Sequence, residues 1–117
     1  MIAPRQIECS FLIPVRRDAD LSDGSPHQTD LWEWLDDELY NRFGGATEAP
    51  GLYGGFYRDP DTGKRVADQS HKFIVAVSVH QLHELRAFLV EVCGLFQQKC
   101  IYLSVAGEVE FIKATPS

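Results

Sequence analysis

The residues best suited to chemistry lie together in the segment Asp68-Gln69-Ser70-His71-Lys72. This segment opens a run of strand-forming residues, and in a strand alternate side chains point to the same side of the sheet. The acid, the hydroxyl and the amine of Asp68, Ser70 and Lys72 would therefore share one side, with His71 on the other. Such a trio could bind a polar ligand or transfer a proton if it is partly buried. The plainer interpretation is hydrogen bonding that fixes the register of a hairpin edge.

A second group of chemically capable residues is His80-x-x-His83-Glu84. Two histidines three residues apart on a helix can share a metal ion. The zinc-protease pattern, however, needs histidines four residues apart with a glutamate between them, and a third ligand such as His71 or Asp68 would have to come from another element. The pattern favours solvated histidines, and we predict no bound metal.

Hydrophobic periodicity predicts the elements that position these residues. Apolar residues alternate in strands and recur every three or four residues in amphipathic helices. The predicted elements are a strand from Gln6 to Pro14, a helix from about residue 27 to Gly44-Gly45, a hairpin of Leu52–Arg58 and Ser70–Val79, a helix from Ser78 to about Gln98, and a strand from Cys100 to Ala106. The short run Val109–Ile112 is either a continued edge strand or a tight hairpin.

This order predicts a single α+β domain over residues 1–117. Two right-handed crossovers would place both helices on one face of a four-stranded antiparallel sheet, the ferredoxin-like β-α-β-β-α-β arrangement. The run Phe73-Ile74-Val75-Ala76-Val77 is apolar at both parities, so the sequence does not fix which of its sides faces the helices.

Charge and composition exclude several classes of function. The net charge is −6 and the pI is near 5.1, which disfavours binding to nucleic acid. The N-terminal residues do not form an export signal, and no apolar run is long enough to span a membrane, so we predict a cytoplasmic protein that does not engage membranes. The three cysteines have no C-x-x-C spacing, and no glycine pattern matches a nucleotide-binding loop. We therefore predict no cofactor.

The sheet face opposite the helices is predicted to be too apolar to be bare. Its candidates include Leu12, Tyr53, Tyr57, Ile74 and Tyr102. An apolar patch of this kind marks an interface or a ligand groove. We expect a homo-oligomer formed through this open sheet face, with a tyrosine-lined groove for a small ligand as the alternative.

Several short motifs resemble those of a group of small uncharacterised bacterial proteins. They are a tryptophan on the first helix (Trp32 or Trp34), the turn 42–47, the strand 55–59, the start of the next strand at 68–72, and Phe96-x-Gln98 near the end of the last helix. In the group they read R-F-x-G-x-T, G-x-W/Y-x-D, acid-x-Ser-Lys and F-x-Q, and His71 departs from the last strand motif. The resemblance implies a ferredoxin-like fold and no assured activity.

Two functional hypotheses follow. The first is a homo-oligomeric domain without catalytic activity that binds a small ligand or a protein partner, with Arg42, Tyr53, Tyr57, Asp68 and His71 as candidate ligand-binding residues. The second is a cofactor-free enzyme of the dimeric α+β barrel kind, acting on a small organic substrate by proton transfer. There Asp68 or His71 would be the base, and Arg42 or Tyr57 would orient the substrate. The sequence does not decide between them.

Overall fold

The computed structural model describes residues 5–114, which form an antiparallel sheet and two helices. The prediction of an α+β domain with two helices is confirmed. The elements are β1 (Ile7–Pro14), α1 (Thr29–Phe43), β2 (Thr47–Glu48), β3 (Tyr53–Arg58), β4 (Arg65–Val77), a 3₁₀ turn (Val79–Gln81), α2 (Leu82–Leu95), β5 (Ile101–Val105) and β6 (Glu108–Ile112). Neither described helix is long and apolar enough to cross a membrane.

The long strand β4 organises the sheet. Its first half pairs with β3, from Arg58 opposite Arg65 to Tyr53 opposite Ser70. Its second half pairs with β1 on one edge and with the short β2 on the other. The remaining strands follow β1, so that the order is β2-β4-β1-β5-β6, with every pairing antiparallel.

The predicted four-stranded, ferredoxin-like sheet is corrected to six strands. The run Val109–Ile112 folds back on β5 as a tight hairpin, because Ala106 and Gly107 both take left-handed backbone angles (φ 51° and 88°). This is the turn geometry that matches the twist of a two-residue hairpin. The other strand beyond the predicted four is β2, whose two residues are too few to give a periodic signal.

The first helix begins later than predicted. Pro26 forms an isolated bridge with Arg16, Gln28 is the N-cap residue, and the helix starts at Thr29. Its end is as expected, since Gly44 takes a left-handed conformation (φ 83°) and its N–H bonds to Tyr40 O.

The core lies between the helices and one side of the sheet. That side carries the odd-numbered residues of the central strands, among them Phe11, Phe73 and Val75, and both helices contribute to the same buried cluster. Phe11 and Phe73 stack with their ring centroids 5.4 Å apart. The odd parity of residues 73–77 therefore faces the helices, which the sequence left open.

The opposite side of the sheet has no layer of helices among the described residues. Tyr102 and Phe111 lie there in edge contact, 5.9 Å between ring centroids, and Phe111 is 62% exposed. Leu12 and Ile74, in the central strands, are half-buried. This face is partly apolar.

Candidate functional site

A cavity lies between the loop that follows β1 and the β3–β4 hairpin. Its volume is about 600 Å³, within the range of small-molecule sites. The loop contributes residues 14–19 and Gly24, the hairpin contributes 54–55, Tyr57 and 66–69, and Gln98 closes it from the end of α2. The walls thus come from three distant parts of the chain.

Two of the predicted site residues, Tyr57 and Asp68, meet in this cavity. Both side chains are half-buried. Burial raises the pKa of the Asp68 carboxyl, since a low-dielectric environment disfavours its charged form. Burial, followed by the nearby Asp68 carboxylate, raises the pKa of Tyr57 to about 12. The site therefore holds a carboxylate that is more basic than usual beside a phenol that stays neutral and can donate a hydrogen bond.

Glycines keep the wall opposite Asp68 open. Gly55 pairs with Asp68 across the β3–β4 ladder, and a Cβ added to it would lie 3.8 Å from Asp68 Oδ1. The neighbouring Gly54 has no heavy atom within 4 Å of such a Cβ. The absence of side chains at these two positions leaves this part of the cavity wall unobstructed.

The loop wall carries both signs of charge. Arg16, Arg17 and Asp18 line the cavity. The guanidinium of Arg17 donates to Ser25 Oγ at 2.9 Å, and the backbone N–H of Asp18 donates to Gln97 O at 2.9 Å. The cavity thus offers partners for a ligand that bears both a cation and a carboxylate.

Gln98 reaches the cavity from the turn that ends α2. Gln97 is left-handed (φ 50°) and donates to Gly94 O, while the Gln98 N–H donates to Cys93 O. This pair of bonds is the Schellman motif, which fixes the chain direction after a helix. In the sequence, Gln98 stands out only as part of the motif Phe96-x-Gln98. A glutamine carries no signal of its own that would place it in a site.

A lysine clasp, which we define as Lys99 with Asp20, Asp59 and Asp61, joins the two long walls. Lys99 Nζ lies 2.8 Å from Asp20 Oδ2 on the loop, and 2.8 Å from Asp59 Oδ2 and 3.2 Å from Asp61 Oδ2 at the hairpin tip. Asp59 is buried, and its other oxygen accepts the backbone N–H groups of Asp61 and Thr62. The clasp holds the cavity walls at a fixed separation.

Arg42 and Tyr53 do not line this cavity. Arg42 ends α1, within 3.6 Å of Glu38 and 3.5 Å of Glu91, with its guanidinium over the Phe88 ring. Tyr53 lies on β3 beneath Lys72, whose Nζ is 5.4 Å from its ring centroid. The contacts of Arg42 join α1 to α2, and the contact between Lys72 and Tyr53 joins β4 to β3.

His71 faces the helix layer, on the other side from Lys72. Its ring meets Trp32 edge-on, 4.9 Å between centroids, and its Nδ1 lies 3.1 Å from Glu48 Oε1. It lines a second, shallower cavity with Glu48, Pro50 and Leu52. Asp68 and His71 therefore belong to different cavities and do not act on one ligand together.

No cluster of three potential metal ligands occurs within residues 5–114. His80 and His83 are both exposed at the start of α2. Asp68 and His71, which the sequence offered as a third ligand, lie in the two cavities described above. The histidine pair therefore lacks a third ligand in this part of the chain.

No protein-family model and no curated protein matches the chain. Two solved structures do. A phage SAM lyase in complex with S-methyl-5'-thioadenosine aligns with a TM-score of 0.73 at 15% identity, over 97% of this chain and 94% of that one. A phage SAM lyase in the apo state aligns with a TM-score of 0.62, also at 15% identity, over 100% and 99%. At this identity the likeness shows a shared fold.

This comparison corrects the main functional prediction. Both structures are of an enzyme, so the prediction of a ligand- or partner-binding domain without catalytic activity is wrong, and so is the description of the fold as one of unknown function. The alternative, an enzyme acting on a small organic substrate, is the better supported hypothesis. The resemblance to uncharacterised bacterial proteins stays a prediction.

Proposed function

We propose that this protein is a lyase that cleaves a carbon–sulfur bond of S-adenosylmethionine, or of a close sulfonium analogue, in the cavity between the β1–α1 loop and the β3–β4 hairpin. The observation that carries the proposal is the pair Asp68 and Tyr57, half-buried in a cavity of about 600 Å³, on a fold shared with phage SAM lyase.

The charges of the cavity suit this substrate. S-adenosylmethionine bears a sulfonium, an ammonium group and a carboxylate, and both signs of charge line the cavity as Asp18 and Asp68 against Arg16 and Arg17. The protein's net charge of −6 also favours a cationic ligand over an anionic one.

The compound bound in the similar structure suggests which bond breaks. The sulfur of S-adenosylmethionine carries a methyl, an adenosyl and an aminocarboxypropyl group, and S-methyl-5'-thioadenosine retains the first two. Its release from this substrate requires cleavage of the bond to the third group. The electron pair of that bond passes to sulfur, which becomes a neutral thioether.

Two routes release the same thioether and give Asp68 different roles. In elimination, Asp68 takes a proton from the carbon next to the one bonded to sulfur, the C–H pair forms a C=C bond, and the second product is an unsaturated amino acid. In internal displacement, the substrate's own carboxylate forms a C–O bond at the carbon bonded to sulfur, and the second product is a lactone. Asp68 then binds the cation, and Tyr57 is placed to orient the carboxylate by its phenol hydrogen.

The test is incubation of the purified protein with S-adenosylmethionine and analysis of both products by chromatography and mass spectrometry. We expect S-methyl-5'-thioadenosine to accumulate well above its spontaneous formation in buffer. Asp68→Asn should lower kcat/KM at least about a hundredfold, while Asp37→Asn, the same change on the exposed face of α1, should leave it unchanged. No product above the spontaneous rate would refute the proposal, and the second product assigns the role of Asp68.

A further inference from the structure

Two hydrogen bonds to backbone carbonyls hold the amide of Gln98 in place. Its residue is only 6% exposed, and the Schellman turn holds its backbone. Its Nε2 donates one hydrogen bond to Phe96 O at 2.9 Å and one to Arg16 O at 2.8 Å. These two bonds use both hydrogens of the amide nitrogen, so the orientation of the amide is determined.

The amide oxygen of Gln98, Oε1, accepts no hydrogen bond from the described residues. Two side-chain polar atoms of the described residues are buried without a hydrogen-bond partner, His27 Nδ1 and Arg42 Nε. Gln98 Oε1 is not one of them, so it is accessible to solvent. Since Gln98 lines the cavity, the accessible part of the residue includes an oriented hydrogen-bond acceptor with no partner from the protein.

We propose that Gln98 Oε1 accepts a hydrogen bond from the exocyclic amino group of the adenine base, and so makes the site specific for 6-aminopurine ligands. This inference rests on the proposed function and extends it from the reacting end of the substrate to the base. A neutral amide oxygen suits a neutral N–H donor, because it supplies no counter-charge for a cation. The cationic groups of the substrate are better matched by the carboxylates of Asp18 and Asp68, which line the same cavity.

The geometry makes this acceptor selective. Hypoxanthine carries a carbonyl oxygen where adenine carries its amino group, so its complex would bring two acceptors face to face. The amide of Gln98 cannot flip to present its nitrogen without breaking both bonds to Phe96 O and Arg16 O. A site with a fixed unpaired acceptor rejects an analogue that lacks the donor. We expect at least about tenfold weaker binding of the hypoxanthine analogue.

The test is isothermal titration of the wild-type protein with S-methyl-5'-thioadenosine and with S-methyl-5'-thioinosine, which differ at C6, an amino group against a carbonyl, and at the adjacent N1, which carries a hydrogen in the inosine compound. Preference for the adenine compound by tenfold or more is the expected result. Equal affinity for both compounds, together with turnover of S-adenosylmethionine, would overturn the role of Gln98 and leave the lyase proposal standing. Binding of neither compound, with no turnover, would overturn both.

A variant tests the acceptor directly. Gln98→Met keeps the length of the side chain and removes the acceptor together with the two donor hydrogens bonded to Phe96 O and Arg16 O, so the ratio of the two affinities should fall to within about threefold of unity. Gln6→Met, the same change at an exposed position outside the cavity, should keep the wild-type ratio. A full wild-type ratio in Gln98→Met would assign selectivity to another group. If that variant does not fold, as judged by circular dichroism, the wild-type comparison still decides.

Discussion

Lys99 Nζ and Asp59 Oδ2, which lie 2.8 Å apart, join two segments that are distant in the sequence. Asp59 is 3% exposed and lies at the tip of the β3–β4 hairpin, while Lys99 follows α2 and also bonds to Asp20 in the β1–α1 loop. The hydrogen bond from Asp18 N to Gln97 O and that from Gln98 to Arg16 O run beside this pair. Three consecutive residues, 97 to 99, therefore hold the loop that forms one wall of the cavity.

Removal of the lysine should separate the cavity walls. Lys99→Met leaves the carboxylate of Asp59, which is 3% exposed, without its cation. We expect Tm to fall by about 5 °C or more, and affinity for S-methyl-5'-thioadenosine to fall about tenfold. Lys113→Met, at an exposed lysine, is the matched control. A lower Tm with unchanged ligand affinity would reduce the clasp to a purely stabilising role.

The clasp should contribute to stability over a defined range of pH. The bonds to Lys99 hold the pKa of Asp59 below its ordinary value of 3.8, so its contribution is present above that value and is lost as pH falls below it. The bonds to Asp20 and Asp59 raise the pKa of Lys99 above its ordinary 10.5, so its contribution is present below 10.5 and is lost at higher pH.

This range is measurable as a difference between two proteins. The Tm of the wild type minus that of Lys99→Met should be constant between about pH 5 and about pH 9, and should shrink below about pH 4. The same difference for Lys113→Met should stay near zero throughout. A wild-type advantage that persists unchanged at pH 2 would contradict an ionic origin of the clasp.

Filling the cavity should abolish ligand binding without unfolding the protein. The backbone of Gly55 is outside the left-handed region, so a larger residue is tolerated by the chain. A Leu side chain there would extend toward Asp68, whose Oδ1 already lies 3.8 Å from the position of the Cβ. We expect Gly55→Leu to weaken binding of S-methyl-5'-thioadenosine by about a hundredfold or more, with Tm within a few degrees of wild type.

Gly94→Leu is the control for this substitution. Gly94 lies on the exposed side of α2, with no atom near an added Cβ, and leucine favours a helix more than glycine does. Its affinity for the ligand should equal that of the wild type. Normal binding by a folded Gly55→Leu protein would place the ligand elsewhere, with the second cavity at His71 as the next position to examine.

The elements of this fold follow from local patterns, and the sequence predicts them. The stripe of Leu31, Leu35 and Leu39 marks α1, and Leu35 and Leu39 are fully buried. The two extra strands were missed or left open because β2 has only two residues and β6 depends on the left-handed turn at Ala106-Gly107. Neither a two-residue strand nor a two-residue turn produces a hydrophobic periodicity in the sequence.

The site was only partly predictable, because its walls meet through long-range contacts. Asp68 and Tyr57 were chosen by residue type and position on adjacent strands, and they line one cavity. Arg42, which belongs to the turn motif 42–47, faces Glu38 and Glu91 instead. The β1–α1 loop reads in sequence as a solvated turn, and the bonds from residues 97 to 99 that make it a cavity wall join positions about 80 residues apart.

His27 is expected to make the protein less stable in acid. It is 8% exposed, its Nε2 lies 2.9 Å from Pro14 O, and its buried Nδ1 has no hydrogen-bond partner within residues 5–114. Burial, opposed by the bond to Pro14, lowers its pKa below 6.5, with a smaller contribution from Arg17. As pH falls below 6.5 the unfolded chain binds a proton at this residue before the folded chain does, so stability is lost.

Urea unfolding at pH 7.5 and pH 5.5 tests this role of His27. Replacement by leucine, which keeps the site apolar against Phe96, should reduce the loss of stability between the two pH values by up to about 1.4 kcal/mol. His83→Leu, at an exposed histidine of α2, should leave the loss unchanged. An identical pH dependence in the wild type and in His27→Leu would show that other groups carry the acid sensitivity.

We propose that the open face of the sheet, defined by Leu12, Ile74, Tyr102, Val109 and Phe111, joins copies of this chain. Two of its large side chains, Val109 and Phe111, are 46% and 62% exposed. Side chains this apolar are more stable against a second copy than in water. Light scattering should give a mass at least twice the 13.2 kDa of one chain.

A charge on this face, at the β6 edge of the sheet, should dissociate the oligomer. In Phe111→Glu we expect a monomeric mass at micromolar concentration, because burying an unpaired carboxylate in an apolar interface costs several kcal/mol. Tyr40→Glu, at a residue of α1 that is 69% exposed on the helix layer, should keep the wild-type mass. A monomeric wild type would leave the face free, and loss of the oligomer in Tyr40→Glu alone would move the interface to the helices. If Phe111→Glu is monomeric and still turns over S-adenosylmethionine at the wild-type rate, the cavity of a single chain is sufficient for catalysis.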